Sequence, residues 1–96
     1  MKLEVITPEK KMFEGEVQAV RFPGINGSFQ LLENHAPIIS ALSSGKVKID
    51  LKNNSQDFDQ LSGEIESDPN SDKIIRLTIK GGVMECKNNH IIVLAD

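Results

Sequence analysis

Apolar and polar residues alternate with period two along most of the chain, the spacing of strands that bury one face. In Lys46-Val47-Lys48-Ile49-Asp50-Leu51-Lys52, the residues Val47, Ile49 and Leu51 fall on one side and the charges on the other. Arg76-Leu77-Thr78-Ile79-Lys80 repeats the pattern. Val47, Ile49, Leu77 and Ile79 are therefore expected in the core. Gly15, Gly24, Gly27, Gly45 and the pair Gly81-Gly82 punctuate the strands as turns or bulges. Cys86-Lys87-Asn88-Asn89-His90-Ile91 reads as a hairpin, because Asn tolerates the left-handed backbone of a tight turn. Several short strands at this spacing predict an all-β fold, an antiparallel sandwich or barrel.

Residues 53–73 break the pattern. Asn53-Asn54-Ser55-Gln56-Asp57 and Ser67-Asp68-Pro69-Asn70-Ser71-Asp72 are polar and turn-rich. Between them Phe58, Leu61 and Ile65 fall at i, i+3 and i+7, a short helical spacing that Gly63 weakens. The segment is expected to be an insertion, a protruding loop with little fixed structure, between neighbouring strands. Loop-closure cost rises slowly with length, so a small domain can carry it.

Charge sharpens that division. Residues 50–72 hold seven acids and one base, inside a chain whose total is −3. The body outside them is mildly basic. It has no Tyr, no Trp and no Lys/Arg cluster, a poor surface for nucleic acid. Ninety-six residues suffice for one domain, 1–96, with one modest core. No run reaches the roughly 18 apolar residues of a membrane span, and the start lacks the apolar stretch of a secretion signal. Cys86, the one cysteine, has no intramolecular disulfide partner, in keeping with a reducing compartment. A soluble cytosolic protein without membrane insertion is expected.

Candidate chemistry is sparse. His35 sits beside Glu33 and Asn34, but no nucleophile elbow or reactive-cysteine context accompanies it, so a contact role is expected over catalysis. Cys86 and His90 resemble half of a metal site. Zinc normally takes four ligands, and the Asn88-Asn89 turn would set Lys87, not Cys86, opposite His90. Gly24-x-x-Gly27 lacks the Lys-Ser/Thr of a phosphate loop, and the acids of 50–72 lack calcium-loop spacing. No catalytic residue, metal or cofactor is expected, and nothing supports an enzyme.

Four separated blocks carry a resemblance. They are Leu3-Glu4-Val5-Ile6-Thr7-Pro8 with Met12-Phe13-Glu14-Gly15, then Pro23 through Asn34-His35-Ala36-Pro37, then Gly81-Gly82-Val83-Met84-Glu85, and finally Val93-Leu94-Ala95-Asp96. In this order they resemble the N-terminal domain of the F-type ATP synthase epsilon subunit family. The resemblance implies a β-sandwich of about ten strands. It implies a non-catalytic rotor subunit in the central stalk, coupling c-ring rotation to the gamma subunit and so to ATP synthesis. It further implies a peripheral place on the cytoplasmic face of the bacterial inner membrane.

By position, Gly27, Ser28, Phe29 and Gln30 match the family's ring-facing tip, with Phe29 a candidate anchor. Asn34, His35, Ala36 and Pro37 match part of the gamma-facing side. Many relatives carry Glu-Leu-Gly where this chain has Ser28-Phe29-Gln30. Many also continue past the Val-Leu-Ala-Asp block into regulatory helices, which in some members bind ATP. No ATP binding is expected of residues 1–96. The rival reading is a free-standing β-sandwich that recognises a ligand or peptide through its loops.

Overall fold

One strand is long enough to serve two layers. β2 (Lys11–Gly24) runs for 14 residues, and its core-facing parity changes midway. Phe13 and Val17 point into the core at odd positions, whereas Val20, Phe22 and Gly24 are buried at even ones. The switch is a register shift between Val17 and Ala19, where Gln18 is the extra residue of a bulge. A bulge bends a strand and increases its twist, so β2 leaves one sheet and enters the other.

The computed structural model describes residues 1–52 and 65–96. Around β2 the other strands are β1 (Lys2–Ile6), β3 (Gly27–Leu32), β4 (Ile38–Leu42), β5 (Gly45–Leu51), β6 (Ile65–Ser67), β7 (Ile74–Ile79), β8 (Gly82–Lys87) and β9 (His90–Ala95). One layer runs β1-β9-β8-β4, with the first half of β2 along β1. The other sets the second half of β2 between β3 and β5, followed by β7 and β6. Nine strands are thus seen among the described residues, and no helix. Every pairing is antiparallel except β1–β9, where Lys2–Ile6 run parallel to His90–Leu94. The wholly antiparallel expectation is corrected at this seam. Most of the chain separates β1 from β9, ample for the long connection a parallel pair needs.

Between the layers lies one apolar cluster, including Leu3, Phe13, Phe22, Leu31, Met84 and Ile91, all essentially without solvent exposure. The expected core residues Val47, Ile49, Leu77 and Ile79 belong to it. Each fully buried side chain of this size contributes roughly 1.5–3 kcal/mol of transfer free energy.

The acidic segment differs from expectation at its end. Ile65 opens strand β6, pairing with β7 opposite Leu77 and packing against the core. Lys46 Nζ reaches Glu66 Oε1 at 2.9 Å, and Arg76 Nη1 reaches Asp68 Oδ2 at 2.9 Å. One apolar side chain and two ion pairs thus fix residues that read as loop from their polarity. Phe58, Leu61 and the rest of 53–64 lie outside the described residues.

Candidate functional site

The layer β1-β9-β8-β4 carries exposed apolar side chains on the end of its outer face away from the β8–β9 turn. Cross-strand register places Ile6 beside Leu94, Leu94 beside Val83, and Val83 beside Ala41. These side chains form an unbroken apolar row across four strands. Leu94 is 58% exposed and Val83 46%. In the next row Glu4, Ile92, Glu85 and Ile39 stand in line, and Ile39 is 70% exposed. A third row is polar, with Lys2, His90 and Lys87.

Ionic contacts close the polar margin of this face. His90 Nε2 donates to Glu4 Oε2 at 2.7 Å, and Lys11 Nζ lies 3.3 Å from Glu4 Oε1 and 2.7 Å from Glu14 Oε1. The His90 hydrogen bond first, and Lys11 second, hold the Glu4 carboxyl below its ordinary value. Glu14 is lowered in the same way by Lys11 and Lys2.

Both segments singled out from the sequence adjoin this face, at opposite ends of β4. Five residues of strand separate them by about 15 Å. Asn34, His35, Ala36 and Pro37 precede β4 and are all exposed. Asn34 adopts φ 63, and its N–H donates to Asn89 Oδ1 at 2.8 Å, tying this turn to the β8–β9 hairpin. His35 Nδ1 donates to its neighbour Ala36 O at 2.7 Å and faces no nucleophile. Pro37, Ile38, Ile39, Glu85 and Lys87 line a shallow hollow where this turn meets the apolar rows.

At the other end is the β2–β3 hairpin. Gly27, Ser28 and Gln30 are exposed, but Phe29 is half-buried and packs against the core. Its ring lies 5.5 Å from that of Phe22 at an interplanar angle of 34°. Gly24 makes the seat: a Cβ there would fall 2.8 Å from the Phe29 ring and 2.6 Å from the Gly27 carbonyl. Phe29 therefore braces the hairpin, with part of its ring left open to solvent. The exposed apolar residue of the tip is Ile25, at 63%, whose N–H donates to Ala41 O at 3.4 Å. Ile25 thus continues the apolar row beyond β4.

The hairpin β8–β9 sets Lys87 opposite His90, while Cys86 pairs with Ile91 and points into the core. Burial pushes the Cys86 thiol up, away from a reactive thiolate. No cluster of three metal-ligating side chains occurs among the described residues.

Sequence reasoning missed Ile39, Val83 and Leu94. Their signal was present: Ile38-Ile39, Val83-Met84 and Ile91-Ile92-Val93-Leu94 are apolar at both parities, the mark of strands covered on both sides.

Comparison with known proteins bears on the domain as a whole. Residues 1–71 match the family model of the ATP synthase delta/epsilon chain β-sandwich domain. The ATP synthase epsilon chain of Chlorobaculum tepidum is 48% identical over 61 residues, which are 64% of this chain and 69% of that one. That of Salinibacter ruber is 32% identical over 96 residues, covering 100% of this chain and 58% of its relative. This chain therefore spans well under two thirds of the length of relatives it matches end to end. In a cryo-EM structure of the Tetrahymena thermophila mitochondrial ATP synthase central stalk and c ring, one chain superposes with a TM-score of 0.67. It covers 99% of this chain and 62% of that one at 16% identity, a likeness of fold.

Proposed function

Because the chain belongs to the ATP synthase delta/epsilon family through its β-sandwich domain, we propose that it is a non-catalytic rotor subunit of a proton-translocating ATP synthase. In this role it sits in the central stalk and couples rotation of the c ring to the gamma subunit, and so to ATP synthesis. The observation that carries the reading is the apolar outer face of β1, β9, β8 and β4. A contiguous exposed apolar face is costly in water and marks a surface that a partner covers. We assign the gamma subunit to this face, with Asn34–Pro37 at one margin, and the c ring to the β2–β3 tip around Gly27–Gln30. The protein is then peripheral to the membrane, held at its cytoplasmic face through the complex.

The geometry suits transmission of load. The tip is an extension of β2, braced by the Phe22–Phe29 contact, and β2 continues through both layers. Tip and apolar face are joined by β4 and by a hydrogen-bonded ladder, with no flexible linker between them. Force on the tip therefore reaches the face through packed strands.

Mixing the purified chain with the gamma subunit and c ring, followed by gel filtration, tests the assignment. Co-elution at micromolar concentration is expected. A chain that stays monomeric in the presence of both overturns it.

A further inference from the structure

The turn joining β2 to β3 holds the one Asn-Gly step in the chain. Ile25 and Asn26 form the turn and are exposed, and Gly27 follows with φ 120. A Cβ placed on Gly27 would meet nothing within 4 Å, so the turn is open to solvent on that side. The Asn26 carboxamide makes no hydrogen bond to another described residue. The other described asparagines differ. The Asn89 carboxamide oxygen accepts the Asn34 N–H, and Asn34, Asn70, Asn88 and Asn89 all precede residues with side chains.

We propose that Asn26 is a site of spontaneous covalent modification, deamidation through a cyclic imide. The main-chain nitrogen of Gly27, on losing its proton, attacks the side-chain carbonyl carbon of Asn26. A C–N bond forms and the carboxamide C–N bond breaks, the nitrogen leaving as ammonia. Water then opens the imide at either carbonyl, giving aspartate or isoaspartate. No electron transfer is involved, and solvent water is the only co-reactant. Glycine favours the step because it has no Cβ to crowd the attack and rotates freely through the conformations the ring requires. Asparagine is among the thermolabile residues for this kind of reason.

Both products put a carboxylate on a tip whose own side chains, Ile25, Ser28 and Gln30, are uncharged. Isoaspartate also lengthens the main chain at the turn. The chemistry requires only the exposed turn. Its consequence for contact with the c ring rests on the functional reading above.

The test incubates the purified chain in warm, mildly alkaline buffer and samples it over weeks. Tandem mass spectrometry locates amide-to-acid conversion, and an isoaspartate-specific methyltransferase labels the isomerised product. Conversion at Asn26 is expected to run several times faster than at Asn34, Asn70, Asn88 or Asn89. Gly27→Ala should slow it, and Asn26→Gln should abolish it at this position. Conversion at Asn26 no faster than at those asparagines, or seen only after denaturant is added, overturns the proposal. Neither result depends on whether the gamma subunit or c ring binds.

Discussion

The two outer faces of the sandwich cover the same core, yet they carry opposite surfaces. Across β1, β9, β8 and β4 runs the row Ile6, Leu94, Val83, Ala41. Across β3, β2, β5, β7 and β6 runs the row Gln30, Arg21, Lys48, Arg76, Glu66. Like charges directly opposite on neighbouring strands repel, so Arg21, Lys48 and Arg76 are tolerable only where water screens them. Glu66 and Asp68 neutralise one end of that row, while Arg21 and Lys48 make no ion pair with another described residue. One face is therefore built to stay wet, and the other gains free energy by being covered. The difference teaches that the side proposed for docking is set by the outward parity of the strands, independently of what they bury.

The largest effects should be blind to this contrast. Ile49→Ala, from the charged layer, and Ile91→Ala, from the apolar layer, should each cost about 2–5 kcal/mol in denaturant unfolding. Both should keep a single cooperative transition, because both side chains enter one cluster. Separate transitions for the two layers would break the picture of one core. Next comes the tip, where two apolar residues have different duties. Phe29→Ala should destabilise the fold by about 1–3 kcal/mol, less than a fully buried ring would. Ile25→Ala should change stability by less than about 0.5 kcal/mol. Equal losses from the two would mean that Phe29 does not brace the hairpin.

Acid should then act more gently. The Glu4, Glu14, Glu33 and Asp68 carboxyls are all lowered by hydrogen bonds and cations. For Glu33 the Lys52 contact leads, and for Asp68 the Asn70 N–H leads, ahead of Arg76. A carboxyl lowered in the folded state stabilises it fully above its unfolded value, 4.5 for Glu, and loses that contribution as pH falls through the folded value. Thermal melting followed downward from neutral pH should decline through this window. Glu4→Gln should flatten part of the decline, and an unaltered profile would remove the Glu4–His90–Lys11 margin from the account. Smallest of all, Arg21→Glu should leave stability within about 0.5 kcal/mol, shifted towards stabilisation because a like-charge row is relieved. A clear loss on melting would mean that Arg21 has a structural partner.

The fold was legible in the chain because period-two alternation in 46–52 and 76–80 leaves one choice of buried side, and Asn88-Asn89 and Gly24 to Gly27 mark their turns. Strand β6 was not. Ser67, Asp68 and Pro69 read as loop, and only the tertiary contacts of Ile65, Glu66 and Asp68 with β7 and Lys46 make a strand there. The parallel seam between β1 and β9 was likewise invisible, since periodicity carries no strand direction. At the site, Gly27–Gln30 and Asn34–Pro37 were singled out by position through the family resemblance, and all but Phe29 are exposed. The bracing role of Phe29 was not legible, because an aromatic near a turn looks the same in sequence whether it projects or folds back over a glycine. The apolar rows escaped notice since alternation marks one buried side, while Leu94, Val83 and Ile39 are apolar residues on the outward parity of their strands.

The most direct test is calorimetric titration of the purified gamma subunit into the wild-type chain and two double variants, one for each face. Val83→Asp with Leu94→Asp should weaken binding by about 2 kcal/mol or more, roughly thirtyfold, as expected for apolar residues central to an interface. Arg21→Glu with Lys48→Glu should leave the affinity within about twofold, apart from a salt-dependent change in association rate. Unaltered melting temperatures in both variants would show that binding, and not folding, is being read. Loss of binding in the charged-face variant, with full affinity retained in the apolar-face variant, would contradict the account.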